Sequence, residues 1–314
     1  MYEHIAQNRA KTIAIMVGFA VFITLVGLAI GYYMDWRFGV SNNYSILIMV
    51  LALILAIIMC FSSYYYSDRI VLGLTKAMPL SREENPRVYY AVEGLSIAAG
   101  LPMPRIYVIR DSGMNAFTTG RNPKNSIIVF TQGLLDNLND EELKGVISHE
   151  LSHVKNYDIL LGTVIVVLVG MLSILSNIML RSMIFGGAGR RRSSRSSGGS
   201  LLSIILLVVG ILLILLSPLI ATLIRLAVSR NREYLADSTG ALISRYPAGL
   251  ANALRKISGH SEVQTASSAT AHLFIDNPIG KKSKVAFKSL FNTHPPAEER
   301  IRRLENMSLG VGVK

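Results

Sequence analysis

Apolar residues are not spread evenly along this chain. They gather in four long blocks, separated by two stretches with the mixed patterning of a water-facing domain. A helix needs about 20 mostly apolar residues to cross the core of a bilayer. The blocks run from Ile13 to about Met34, Ile46 to about Tyr64, Ile159 to about Leu180 and Leu201 to about Ile224, none with an internal charge. Tyr32, Tyr33, Trp36, Tyr44 and Tyr64 to Tyr66 flank the first two, at the depth where aromatic girdles form. The first block is too long for a signal-peptide core and lacks a small-residue cleavage site, so it predicts a retained span. Four crossings return both polar stretches to the side of the N-terminus. The chain then divides into a membrane hairpin (1–66), a first polar part (67–158), a second membrane hairpin (159–226) and a second polar part (227–314).

The polar parts predict both helices and strands. Asn85-Pro86 is a helix start, Val88, Val92, Leu95 and Ala99 keep helical spacing, and Gly100 ends the run. Arg105 to Ile109 and Ser126 to Thr131 are β-rich and read as strands, while Asn115 to Thr119 between them fits a third strand or an extended loop. A second helix begins at Asn139-Asp140-Glu141-Glu142, with Leu143, Val146, Ile147, Leu151 and Val154 on its buried face. Helical patterning resumes through Arg232, Glu233 and Asp237; another helix opens at Pro247, and a last one at Pro295-Pro296. The segment from Ser258 to about Val285 is polar and reads as a loop. The fold class expected is an α+β membrane protein: four transmembrane helices plus a mostly helical domain with a small sheet.

Composition narrows the class. Residues are 51% hydrophobic and 17% charged, with mean hydropathy +0.41, whereas soluble proteins carry roughly 25% charge. An ordinary soluble enzyme and a disulfide scaffold are excluded, the latter because Cys60 is the single cysteine. The net charge of +12 suits an anionic membrane surface better than nucleic acid in a chain this apolar. Orientation follows from basic residues near the span ends. Arg9, Lys11, Arg69, Lys76, Lys144, Lys155, Arg225, Arg230 and Arg232 lie on the N-terminal side; Arg37, Arg181, Arg190, Arg191, Arg192 and Arg195 lie opposite. The majority predicts cytoplasmic polar parts in a multi-pass cell-membrane protein. The arginine-rich loop 181–200 opposes that count. The length of each apolar arm nevertheless predicts two full crossings with the loop exposed outside.

The chemistry lies in His149-Glu150-Leu151-Ser152-His153. Two histidines four apart project from one helical face and can share one zinc, while Glu150 suits the role of general base. Composition alone produces such a match in about four chains per thousand. A catalytic zinc takes three protein ligands and leaves one position open. Glu233 is a candidate third ligand, with Asp237 one turn later on the same face to orient a ligating imidazole. By spacing alone, the same residues also fit a solvated charged helix.

The ordered set is more specific. His149 to His153 stands just before an apolar hairpin, Arg230 to Asp237 just after it, Asn115-Ala116-Phe117 upstream, and Thr293-His294-Pro295-Pro296 with Arg300 near the end. This arrangement resembles the HtpX-type bacterial membrane metalloproteases, relatives of the eukaryotic CAAX prenyl proteases, over nearly the whole chain. The resemblance implies a zincin-like domain with one Zn2+ per chain held by His149, His153 and Glu233. It implies Glu150 as general base and proton donor, Asp237 behind the ligands, and His294 and Arg300 stabilising an oxyanion or holding a carboxylate. Asn115, Ala116 and Phe117 would line the cleft edge, where an extended peptide adds to the sheet. The implied substrates are misfolded or damaged membrane proteins and other unfolded polypeptides, cleaved beside the bilayer in a stress-linked quality-control role. Two other readings compete: a peptidase trimming one defined lipidated substrate, and a non-catalytic metal-binding or transport protein. Ionisable residues inside spans would favour transport; the four blocks have none.

Overall fold

The computed structural model describes residues 2–39, 43–172, 229–267, 270–278 and 295–309. Among them the chain is mostly helical with one small mixed sheet. Helices α1 (Tyr2–Phe38) and α2 (Asn43–Tyr65) are long and apolar enough to cross a membrane. Their apolar side chains point outward: Ile13 is 62% exposed and Ile46 59%, an arrangement that suits lipid and not water. Asp35 near the end of α1 accepts from the backbone N–H groups of Tyr44 and Ser45, which satisfies two free donors at the start of α2.

Short helix α3 (Ser67–Thr75) and strand β1 (Met78–Pro79) lead to α4 (Pro86–Ala99). Asn85 caps α4 by accepting from the Val88 N–H, and Gly100 ends it at φ +69°. Strands β2 (Arg105–Ile109), β3 (Ala116–Gly120) and β4 (Ser126–Thr131) complete a sheet in the order β1-β2-β4-β3. The β2/β4 pair is parallel; β1/β2 and β3/β4 are antiparallel. Residues 115–119, left open between strand and loop, therefore begin an edge strand. After α5 (Gln132–Asn137), the histidine helix α6 (Asp140–Lys155) starts with a reciprocal cap in which Asn139 and Glu142 each accept from the other's backbone.

An 86° break separates α6 from α7 (Asp158–Leu172). Later come α8 (Arg230–Ser244), α9 (Pro247–Ile257) and α10 (Ala297–Ser308). Of the four expected spans, the first two are described, the third only in its opening part α7, and the fourth lies outside the described residues, as does the loop 181–200.

The described residues fall into two compact units. One draws on Met1–Thr12, Tyr64–Val167 and Ile224–Lys314, the other on Ile13–Ser63 and Leu168–Leu223. The first unit contains the core, where Leu143, Val146, Ile147 and Leu151 of α6 meet Phe130, Leu250 and Leu254. Two glycines let helices close on α6. A Cβ on Gly145 would stand 2.4 Å from the Leu250 nitrogen, and one on Gly240 would stand 3.0 Å from the His149 backbone. Glycine at 240 thus brings α8, with Glu233 and Asp237, against the histidine helix.

Candidate metal centre

His149 and His153 lie one turn apart on α6, and Glu233 faces them from the first turn of α8. One ligand atom from each lies within 4.8 Å of the others. His149 Nε2 stands 3.2 Å from His153 Nε2, 3.9 Å from Glu233 Oε2, and His153 Nε2 is 3.8 Å from Glu233 Oε1. Zinc bonds of about 2.0–2.2 Å in a tetrahedron separate ligand atoms by roughly 3.3–3.5 Å, so these three fit one ion after small adjustment.

The imidazoles are prepared for that ion. Asp237 Oδ1 lies 2.9 Å from His149 Nδ1, and Asp158 Oδ2 lies 3.3 Å from His153 Nδ1. An ionised carboxylate only accepts, so each Nδ1 carries a proton and each Nε2 turns to the shared point, the orientation that outer carboxylates give metal ligands. Burial opposes charge on His153, but the hydrogen bond to Asp158 and the charges of Glu233, Asp158 and Glu150 outweigh it and raise its pKa to about 9. The carboxylates of Glu233, Asp158 and Glu150 around His153 put negative charge at this point, which a divalent cation neutralises. Donor set, spacing and charge all fit zinc.

Behind His149, Asp237 and Arg300 form a sealed pair. Arg300 Nη2 and Nε donate to the two Asp237 oxygens at 2.7 and 2.9 Å, and Nη1 donates to the Ile275 carbonyl at 3.0 Å. Burial alone would raise the Asp237 pKa, but Arg300 and the His149 hydrogen bond hold it down at about 2; Asp237 in turn lifts Arg300 above its usual range. Arg300 is 2% exposed. Of the two roles expected for it, Arg300 takes the second: it holds a carboxylate, that of Asp237, and does not face open space where an oxyanion would form. Its Nη2 also lies 3.4 Å from both His149 ring nitrogens and its Nη1 3.9 Å from Glu233 Oε2. His294 lies outside the described residues.

Glu150 takes its place in the same cavity, its Oε2 accepting from Thr118 Oγ1 at 2.9 Å. Asn115, Ala116 and Phe117 do not line the cleft edge as expected, because all three are fully buried. The Asn115 amide donates to the Ser261 and Asp276 carbonyls, the Ala116 carbonyl accepts from Ile275, and Phe117 packs edge-on against Phe274. Residues 261–267 and 270–278, within the segment read from sequence as a loop, are thus tied across the start of β3, and the turn Ala271–Leu273 brings His272 into the cavity wall. Sequence reasoning assigned no role to Thr118, Asp158 or His272. For Asp158 the available signal was an acid just past the end of the histidine helix, and alone it is weak; Thr118 in a strand and His272 in a turn carried none. The cavity holds about 60 Å3 of free space, enough for an ion and a few waters.

The model described as peptidase family M48 matches residues 82–308. The chain is 42% identical over 308 residues to a Protease HtpX homolog of Tropheryma whipplei, covering 98% of each. It is 41% identical over 309 residues to one of Lactobacillus acidophilus, covering 98% of this chain and all (100%) of that one. The crystal structure of S. mikatae Ste24p aligns with 97% of this chain and 67% of its own at 19% identity and a TM-score of 0.45.

Proposed function

The chain belongs to peptidase family M48 and is a metalloprotease, and on that premise we propose that it is a zinc endopeptidase cutting misfolded or damaged membrane proteins beside the cytoplasmic face of the cell membrane. The observation that carries the reading is the convergence of His149 Nε2, His153 Nε2 and the Glu233 carboxylate within 4.8 Å, with Glu150 in the same cavity. Zinc, when bound, supplies Lewis-acid polarisation of the scissile carbonyl and acidifies water toward a pKa of ~7. Glu150 accepts a proton from that water and returns it to the leaving amine, while Thr118 fixes which carboxylate oxygen is free to do so. Glu150 has no part in ligation, so its presence favours catalysis over a site that merely stores metal.

Other parts of the proposal rest on different grounds. The cytoplasmic side is supported by the basic residues at the span ends, and multi-pass insertion by the two outward-facing apolar helices. Membrane-protein substrates are supported by the short distance in sequence from His153 to α7, which starts the third apolar block. The test is the full chain in detergent, assayed for bound zinc and casein cleavage with and without chelator. Glu150→Gln should keep zinc and lose at least ~10²-fold in rate. Cleavage at near wild-type rate by that variant would remove Glu150 from the chemistry.

A further inference from the structure

Asn8 lies in the first turns of α1, ahead of the apolar block that starts at Ile13, and is 5% exposed. Its amide nitrogen donates to acceptors on both sides of the break after the histidine helix: the Asn156 carbonyl at 3.3 Å and Asp158 Oδ1 at 2.7 Å. The second oxygen of the same carboxylate is the one that faces His153 Nδ1. One side-chain amide is therefore joined to a metal ligand through a single carboxylate.

Helix geometry shows why that contact matters. On a straight helix, a residue five positions after His153 would stand about 140° around and roughly 7.5 Å along the axis, out of reach of the imidazole. The 86° break brings Asp158 back. It does so with Tyr157 at φ +59°, a left-handed conformation costing roughly 1–2 kcal/mol in a residue with a Cβ. A strained turn needs support from elsewhere, and α1 provides it. The Asn8 amide bridges the break, the Arg9 guanidinium lies over the Tyr157 ring at 5.2 Å, and buried Thr12 donates to the Asn8 carbonyl.

We infer that Asn8 is a positioning residue of the metal centre: through Asp158 it holds the His153 imidazole with Nε2 toward the ion, so the helix that forms the first membrane span is also part of the support of the site. The inference rests on His149, His153 and Glu233 as the zinc ligands. It also predicts that disturbing the base of α1 loosens zinc without touching any ligand.

Zinc affinity of the full chain in detergent, measured by competition with a chromogenic zinc chelator, is the readout. A partner behind a ligand typically contributes 10–100-fold in metal affinity. Asn8→Ala, one step further out, should weaken binding about 10-fold, and Asp158→Ala should weaken it more. The double variant should bind no worse than Asp158→Ala alone, because both act on one imidazole. Asn8→Asp keeps the size but replaces the donor with a charge facing Asp158, and should lose more than Asn8→Ala. It decides the matter if the alanine variant does not fold. Arg9→Ala, which removes only the contact with the Tyr157 ring and leaves the Asn8–Asp158 hydrogen bond in place, should weaken binding clearly less than Asn8→Ala. Unchanged affinity in both Asn8 variants, multiplying losses in the double, or an equal loss in Arg9→Ala would overturn the inference. Failure of the wild type to bind one zinc would instead overturn the ligand assignment, so the two outcomes are distinct.

Discussion

His149 stands with its side chain 1% exposed between Asp237 and Arg300, while His153, 16% exposed, leans on Asp158 at a helix break. Both imidazoles use one device, a carboxylate on Nδ1, but the two carboxylates are held differently. Asp237 is locked by a buried arginine with two hydrogen bonds. Asp158 is held by one neutral amide from α1. A buried ion pair is costly to desolvate and very costly to break, whereas a single hydrogen bond from a neutral amide contributes modestly. The His149 side thus joins the metal site to the stability of the fold, and the His153 side joins it to the first turns of α1.

The largest expected effect lies on the first side. Arg300→Ala leaves Asp237 charged and buried without its partner, and breaking such a pair costs about 3–5 kcal/mol. Chemical unfolding of the metal-free protein should register that loss. Removing both charges together, as Arg300→Met with Asp237→Leu, should recover most of it. A loss below ~1 kcal/mol in Arg300→Ala would show that the pair does not stiffen the site as argued.

Metal affinity should separate the sides next. Asp237→Ala and Asp158→Ala should each weaken zinc by about 10–100-fold, measured by chelator competition. Only Asp237→Ala should also lower the unfolding free energy by more than ~2 kcal/mol, because it orphans Arg300. Equal stability losses in the two variants would erase the distinction between a fold-linked and an α1-linked imidazole.

Sequence revealed these two sides unequally, and the reason is physical. His149, Glu150 and His153 are legible because helical period alone sets their mutual positions, and Glu233 with Asp237 for the same reason. The caps at Asn85 and Asn139 and strands β2 and β4 follow from local backbone chemistry, and the structure has them at the residues expected. Asp158 and Asn8 are not legible, since they meet only after an 86° break and across 150 positions of chain. Arg300 and Asn115 were noticed but read as facing substrate. Strand β3 is buried on both faces, so it lacks the alternation that would have marked Asn115 and its neighbours as interior.

A last contrast is a pH signature, opposite in sign on the two sides, for protein kept free of metal by chelator. The folded pKa of Asp237 is about 2 against 3.8 unperturbed. Its contribution is therefore complete above pH ~4 and is lost as pH falls toward 2, on the order of 1 kcal/mol by pH 3. The folded pKa of His153 is about 9 against 6.5. That contribution is complete below pH ~6.5 and is lost as pH rises through 9. Unfolding free energy against pH should thus fall at both ends. Asp237→Asn should flatten the acid limb, and Asp158→Asn should weaken the alkaline one. Zinc sharpens the contrast, because a ligating Nε2 holds no proton. In the zinc-loaded protein the alkaline limb should vanish while the acid limb, set by Asp237 and Arg300, remains. An alkaline limb unchanged by zinc would mean that His153 is not the group titrating there.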